Sequence, residues 1–198
     1  VQVRGDSVLT WSTFDTQPNG GAFGNAHVNF LPQGTELRFE GTGRAFTAIN
    51  RVLTVPDAGG AYRPIAMEGR VTSFLSPGGV RGGDIWFYSP GGILATGTSS
   101  FSTSDIAGFA RTRFARNANF TGAANPTSRV TLQPRATIDL PGERSSLVIF
   151  APSIDQSGTV SANGSITYAS GVSGTGALAT DGGVFVTVAS QAQAGNEI

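Results

Sequence analysis

The sequence predicts an all-β protein, a right-handed parallel β-helix (β-solenoid) with short extra-helical hairpins, and three observations carry that expectation. β-Prone runs are short and are separated by Gly, Pro, Asn and Ser. Only 39% of the residues are apolar and 28 of 198 are glycine, too little bulk for a wide spherical core. A narrow core, in which short strands stack and small residues turn the corners, can be filled by such a chain. From Arg129 onward, strand, small-residue turn and strand follow one another at quasi-regular spacing, as loose rungs would.

Taken in order, the strand signals fall at 7–11, 35–39, 84–88, 129–132, 136–140, 146–150, 158–161, 165–168 and 183–188. Turn signals lie between them at Asn19-Gly20, Pro77-Gly78-Gly79, Pro90-Gly91-Gly92, Pro141-Gly142 and Asn163-Gly164. A β-sandwich is the main competitor, but it would use longer strands with cleaner alternation. Helix is expected at most over 104–117, where Gly108 interrupts it. Phe74, Phe87, Phe150 and Phe185 are the aromatics expected to stack inside, and residues 1–198 are read as one elongated domain.

Charge narrows the function classes. The 13 basic and 13 acidic residues balance, which argues against a phosphate-tracking surface and so against a nucleic-acid partner. Every basic residue is arginine, so lysine amine chemistry and a Walker-type phosphate loop are excluded. Cysteine is absent, so stacking rather than disulfides must supply stability. No run approaches the roughly 20 apolar residues of a membrane-spanning helix. Val1-Gln2-Val3 is not a basic-then-apolar signal, and a processed or trimmed start is expected.

Several segments resemble the filamentous-haemagglutinin-type two-partner-secretion domain of bacterial exoproteins and adhesins. Val8-Leu9-Thr10-Trp11-Ser12-Thr13-Phe14-Asp15 is similar to that family's opening Asp-Trp-Gln-Ser-Phe-Asn/Asp segment. Asn50-Arg51-Val52 is similar to its Leu-Asn-Arg-Val element, and Met67-Glu68-Gly69-Arg70-Val71 to its Ile-x-Gly-x-Leu. Gly83-Asp84-Ile85-Trp86-Phe87-Tyr88-Ser89-Pro90-Gly91-Gly92-Ile93-Leu94 resembles the hallmark Gly-x-Val-Phe-Leu-Ile-Asn-Pro-Asn-Gly-Ile-Leu, with both asparagines of the turn replaced. Leu147-Val148-Ile149-Phe150-Ala151-Pro152 and Ser157-Gly158-Thr159-Val160 follow in the family's order, so the matches are collinear over about 7–170. The stretch 16–44 is longer than the family's usual connection.

The resemblance implies a secretion and adhesin module of a large exoprotein, secreted or held on the bacterial surface, without enzymatic activity, catalytic residues, cofactor or metal. Its implied partner is an outer-membrane transporter of the two-partner type. The residues it assigns to transporter recognition or fold nucleation are Asn50, Arg51, Ser89, Pro90, Gly91 and Gly92. On turn chemistry alone, Pro90-Gly91 is a type II turn. The alternative function is a self-assembling structural subunit of an extracellular fibre or surface layer, in which self-association of open strand edges is the activity.

Other residues invite chemistry. Arg111, Arg113 and Arg116, interleaved with Phe109 and Phe114, form a local basic cluster that could contact host or bacterial surface glycans. A solvated strand face that resists edge pairing is the commoner use of such a cluster. Arg4-Gly5-Asp6 reads as an integrin-type tripeptide, a short motif with a high chance rate. His27 is the single histidine, which leaves no His-rich metal site and no nucleophile motif around it. Asp139 and Asp155 are spaced by roughly one coil, so they are the carboxylates expected to stack if the scaffold cleaved sugars. The calcium nonapeptide of β-rolls is missing, and Asp181-Gly182-Gly183 is only a turn fragment.

Overall fold

The computed structural model describes residues 1–12, 27–56, 60–103, 118–121, 128–142, 145–171, 173–178 and 184–190, with 118–121, 173–178 and 184–190 described as backbone. All regular structure among them is β-strand. The segment 104–117, where a helix was conceivable, lies outside the described residues.

Strands pair mainly in parallel, each with the third strand further along the chain. β1 (Ser7–Ser12), β4 (Thr47–Leu53) and β7 (Asp84–Tyr88) form one sheet. β2 (Val28–Leu31), β5 (Ile65–Met67), β8 (Gly92–Ala95), β11 (Arg129–Leu132) and β14 (Ser153–Gln156) form the second. β3 (Glu36–Glu40), β6 (Arg70–Phe74), β9 (Ser100–Ser102), β12 (Thr137–Leu140) and β15 (Thr159–Ala162) form the third. β13 (Leu147–Ala151) pairs with β16 (Ile166–Ser170) in the same sense. β10 (Ala118–Thr121) breaks the rule and joins the β17 (Ser173–Leu178)–β18 (Val184–Ser190) hairpin in an antiparallel sheet.

The offset between parallel partner strands is uneven along the chain and smallest at β13–β16. The hydrogen bond between Trp11 and Asn50 joins residues 39 apart, whereas that between Ser165 and Ser146 joins residues 19 apart. Much of the extra length early on is hairpin: Pro56 bridges Tyr62 and Phe74 bridges Arg81, both antiparallel. The long stretch 16–44 is more than a connection, because it carries β2 and β3. Residues 1–3 run parallel beside β3, with Val3 N donating to Glu40 O and Glu40 N to Val1 O, so that edge is paired.

Inward side chains make two apolar clusters. Val3, Leu31, Phe39, Phe46, Ala48, Val52, Ile65, Met67 and Val71 fill the first, and Ala95, Leu132, Ala136, Ile138, Leu140 and Ile149 the second. Phe101 packs against both and makes the core continuous. β12 shows the period of two that this demands, with Ile138 and Leu140 buried and Thr137 and Asp139 exposed.

The aromatic expectation needs correction. Phe39 and Phe46 are the fully buried phenylalanines, and Phe87 meets Phe101 edge-on at 6.4 Å. Phe74 points outward, because the register sets Phe39 beside Ser73 and therefore Phe74 beside Glu40. Its ring carries the Arg38 guanidinium at 4.1 Å, a cation–π contact. Phe150 is half-buried and outside both clusters, and the side chain of Phe185 lies outside the described residues.

Candidate functional site

Asn50 sits at the middle of the first sheet and is fully buried. A buried amide is costly unless its donors and acceptor are met, and here they are met by both neighbouring strands. Trp11 Nε1 donates to Asn50 Oδ1 at 3.0 Å, and Asn50 Nδ2 donates to Trp86 O at 3.1 Å and Ala48 O at 3.3 Å. The amide thus ties β1, β4 and β7 together. Arg51, the next residue, points to the exposed face beside Thr10 and Tyr88. Burial raises the Tyr88 phenol above its usual value, and the Arg51 charge works against that shift.

The Ser89-Pro90-Gly91-Gly92 segment turns the chain from β7 into β8. Gly92 N donates to Ser89 O at 3.1 Å, closing a β-turn. The positive φ falls on Gly92, at 102°, one residue later than a type II turn requires, so the type II expectation at Pro90-Gly91 is not met. Pro77-Gly78 does take that form, with Gly78 at φ 68° and Gly79 N donating to Ser76 O at 2.9 Å. The reason for two glycines at the β7–β8 corner is stacking. A Cβ on Gly91 would lie 2.2 Å from Arg63 O, and one on Gly92 would lie 2.2 Å from Arg129 O. Backbone just before β5 and at the start of β11 therefore closes onto this turn, and Ser128 Oγ donates to Pro90 O. Pro90, Gly91 and Gly92 are buried, and Ser89 Oγ is buried without a hydrogen-bond partner.

The third sheet presents a different surface. Its outward positions form two columns: Arg70, Ser100 and Thr137 in one, and Thr72, Ser102 and Asp139 in the next. The Leu75–Val80 turn brings Arg81 back over this face, where its Nη1 donates to Ser102 Oγ. These side chains line an open groove of about 400 Å³. Thr72 Oγ1 donates to Glu36 Oε1 at 2.6 Å, and Arg38 is engaged by Glu40 at 2.7 Å. Neither Arg70 nor Arg81 has a carboxylate within ion-pair distance among the described residues, and Asp139 has no cation within it.

Of the residues expected to act, Asn50 and Arg51 stand beside Phe87 and Tyr88, immediately before the Ser89–Gly92 turn; Asn50 and the turn glycines are structural in their contacts, while Arg51 is exposed. Arg111, Arg113 and Arg116 lie outside the described residues. Asp139 and Asp155 do not stack: Asp139 lies beside Ser161 in the third sheet and Asp155 beside Thr131 in the second. In the Arg4-Gly5-Asp6 tripeptide, the Asp6 carboxylate accepts a hydrogen bond from Thr47 N at 3.1 Å, a local strand-end contact. His27 is half-buried, and desolvation holds its pKa below the usual value. No group of metal-ligating side chains occurs among the described residues. Sequence reading missed the groove because Arg70, Arg81 and Asp139 are scattered singly along the chain and meet only through the register.

Comparison with protein-family models, curated proteins and solved structures returned no match of any kind.

Proposed function

We propose that this chain is a right-handed parallel β-helix that serves as a secretion and adhesin module of a bacterial exoprotein, exported through an outer-membrane transporter. The observation that carries the reading is the strand order, in which each parallel strand pairs with the third strand on across three sheets. Such an order follows from a chain coiling with three strands per turn, and parallel crossovers are overwhelmingly right-handed. The placement of the resembling segments supports the same reading. Asn50 bonds to the strands on both sides, and Gly91 and Gly92 sit where neighbouring backbone leaves no room for a side chain. In this reading these residues act through folding, since buried groups offer little to a transporter on the folded molecule, and Arg51 is the exposed residue left for direct recognition. Folding outside the cell rung upon rung would resist backsliding through the pore, because each strand templates the next.

A second reading, a self-assembling subunit of an extracellular fibre, is favoured by one feature. β14 and β15 end their sheets with no further described strand on the outer side, and unpaired edges invite strand addition.

An antibody to this domain, applied to fractionated cells and medium of the source organism, separates these readings. A band far above the 20.3 kDa of the chain, in the outer-membrane or medium fraction, is the expected result. A band near that mass in large assemblies favours the fibre subunit. Recovery in the cytoplasm alone overturns both.

A further inference from the structure

We propose that the groove on the outer face of β6, β9 and β12 binds a uronate-bearing saccharide. This assignment does not rest on the export reading. Three features of the groove point to it together. Arg70 and Arg81 have no carboxylate within ion-pair distance among the described residues, although Glu36 stands beside Arg70 in the register and accepts from Thr72, so both guanidiniums keep N–H donors for a ligand. Arg81 is positioned by its bond to Ser102 and keeps further N–H donors for a ligand. Planar guanidinium donors match a carboxylate in a bidentate way.

Asp139 lies in the same groove and has no ion-pair partner among the described residues. A bare inorganic anion would be repelled by it. A ligand that carries one carboxylate beside neutral hydroxyls meets both demands, because the hydroxyls donate to Asp139 while the carboxylate accepts from the arginines. Ser100 and Thr137, register partners on β9 and β12, supply hydroxyls between the charges, while the Thr72 hydroxyl is engaged by Glu36 and that of Ser102 by Arg81. Ser100 and Thr137 follow one another from strand to strand at about 4.8 Å, the spacing of neighbouring strands. That step is comparable with the rise of a sugar unit in an extended glycan, so successive sugars can meet equivalent positions.

The test is calorimetric titration of the protein with tetragalacturonate, with the same oligosaccharide methyl-esterified, and with inorganic sulfate. Binding of the acid form is expected, weakened at least about tenfold by esterification and by either Arg70→Gln or Arg81→Gln, the loss of one charge-assisted contact. Asp139→Asn should weaken the saccharide while leaving sulfate no weaker, which separates the hydroxyl contact from the charge contact. These side chains are on the surface, so unchanged thermal melting of the variants shows that folding is intact. No binding of the acid form, equal binding of acid and ester, or binding that survives both arginine substitutions overturns the assignment. Sulfate binding as tightly as the tetrasaccharide also overturns it, as a simple anion site would.

Discussion

Asn50 illustrates how one polar side chain holds three strands. Replacing it with leucine leaves Trp11 Nε1 without its acceptor and Trp86 O without its side-chain donor in a buried place. An unmet buried group costs about 1–3 kcal/mol, so Asn50→Leu should lower stability by about that amount in urea unfolding. Gly92→Ala should cost about 3 kcal/mol or more, since the methyl group must displace Arg129 backbone and the residue must hold φ 102°. A thermal melt of that variant gives the check. His27 makes a third prediction, on pH. Its pKa is lowered by desolvation, so the folded state favours the neutral ring and the unfolded state binds its proton first. Stability from this group is full above about pH 6.5 and is lost as pH falls from there toward the lower folded value. His27→Gln should therefore flatten the fall in stability just below that pH, measured by denaturant titration at a series of pH values.

At the scale of elements, stacked parallel strands depend on hydrogen bonds from both edges. β11 lies between β8 and β14, with Val130 beside Ile93 on one side and Ile154 on the other. Whichever neighbour its N–H faces, Val130→Pro removes a ladder bond and places a ring in a central strand, at a cost of about 3 kcal/mol or more. Loss of cooperative unfolding seen by circular dichroism is the expected outcome. The elements were largely legible in the sequence. Strands expected at 84–88 and 129–132 occur at Asp84–Tyr88 and Arg129–Leu132, because each is a β-branched or aromatic run closed by turn residues. β5 (Ile65–Met67) was not read as a strand, only its last residue falling in a resembling segment, because three residues are too few for a period of two to declare itself.

Across the whole molecule, stability is expected to be graded rather than uniform. β5 and β8 lie inside the second sheet and border the first core cluster, while β14 and β15 end their sheets among the described strands. Amide exchange should therefore be slowest in Ile65–Met67 and Gly92–Ala95 and faster in Ser153–Gln156 and Thr159–Ala162. Uniform protection across all four would show that the stack opens as a single unit.

By itself the sequence determined the all-β character, the short strands and the turns, because these follow from local propensity and from residues that tolerate few backbone conformations. It also singled out Asn50 and Gly91-Gly92, through resemblance, but not the hydrogen bonds and close backbone packing that surround them. Only the tertiary structure decided register, and register is where the site lies. It set Phe74 outward, parted Asp139 from Asp155, and brought Asp139 into one groove with Arg70 and Arg81. The physical cause is that a parallel strand's partner is fixed by the length of everything between them. Here that length runs from 41 residues to 19 between bonded neighbours, so no fixed spacing in the sequence could announce which side chains would meet.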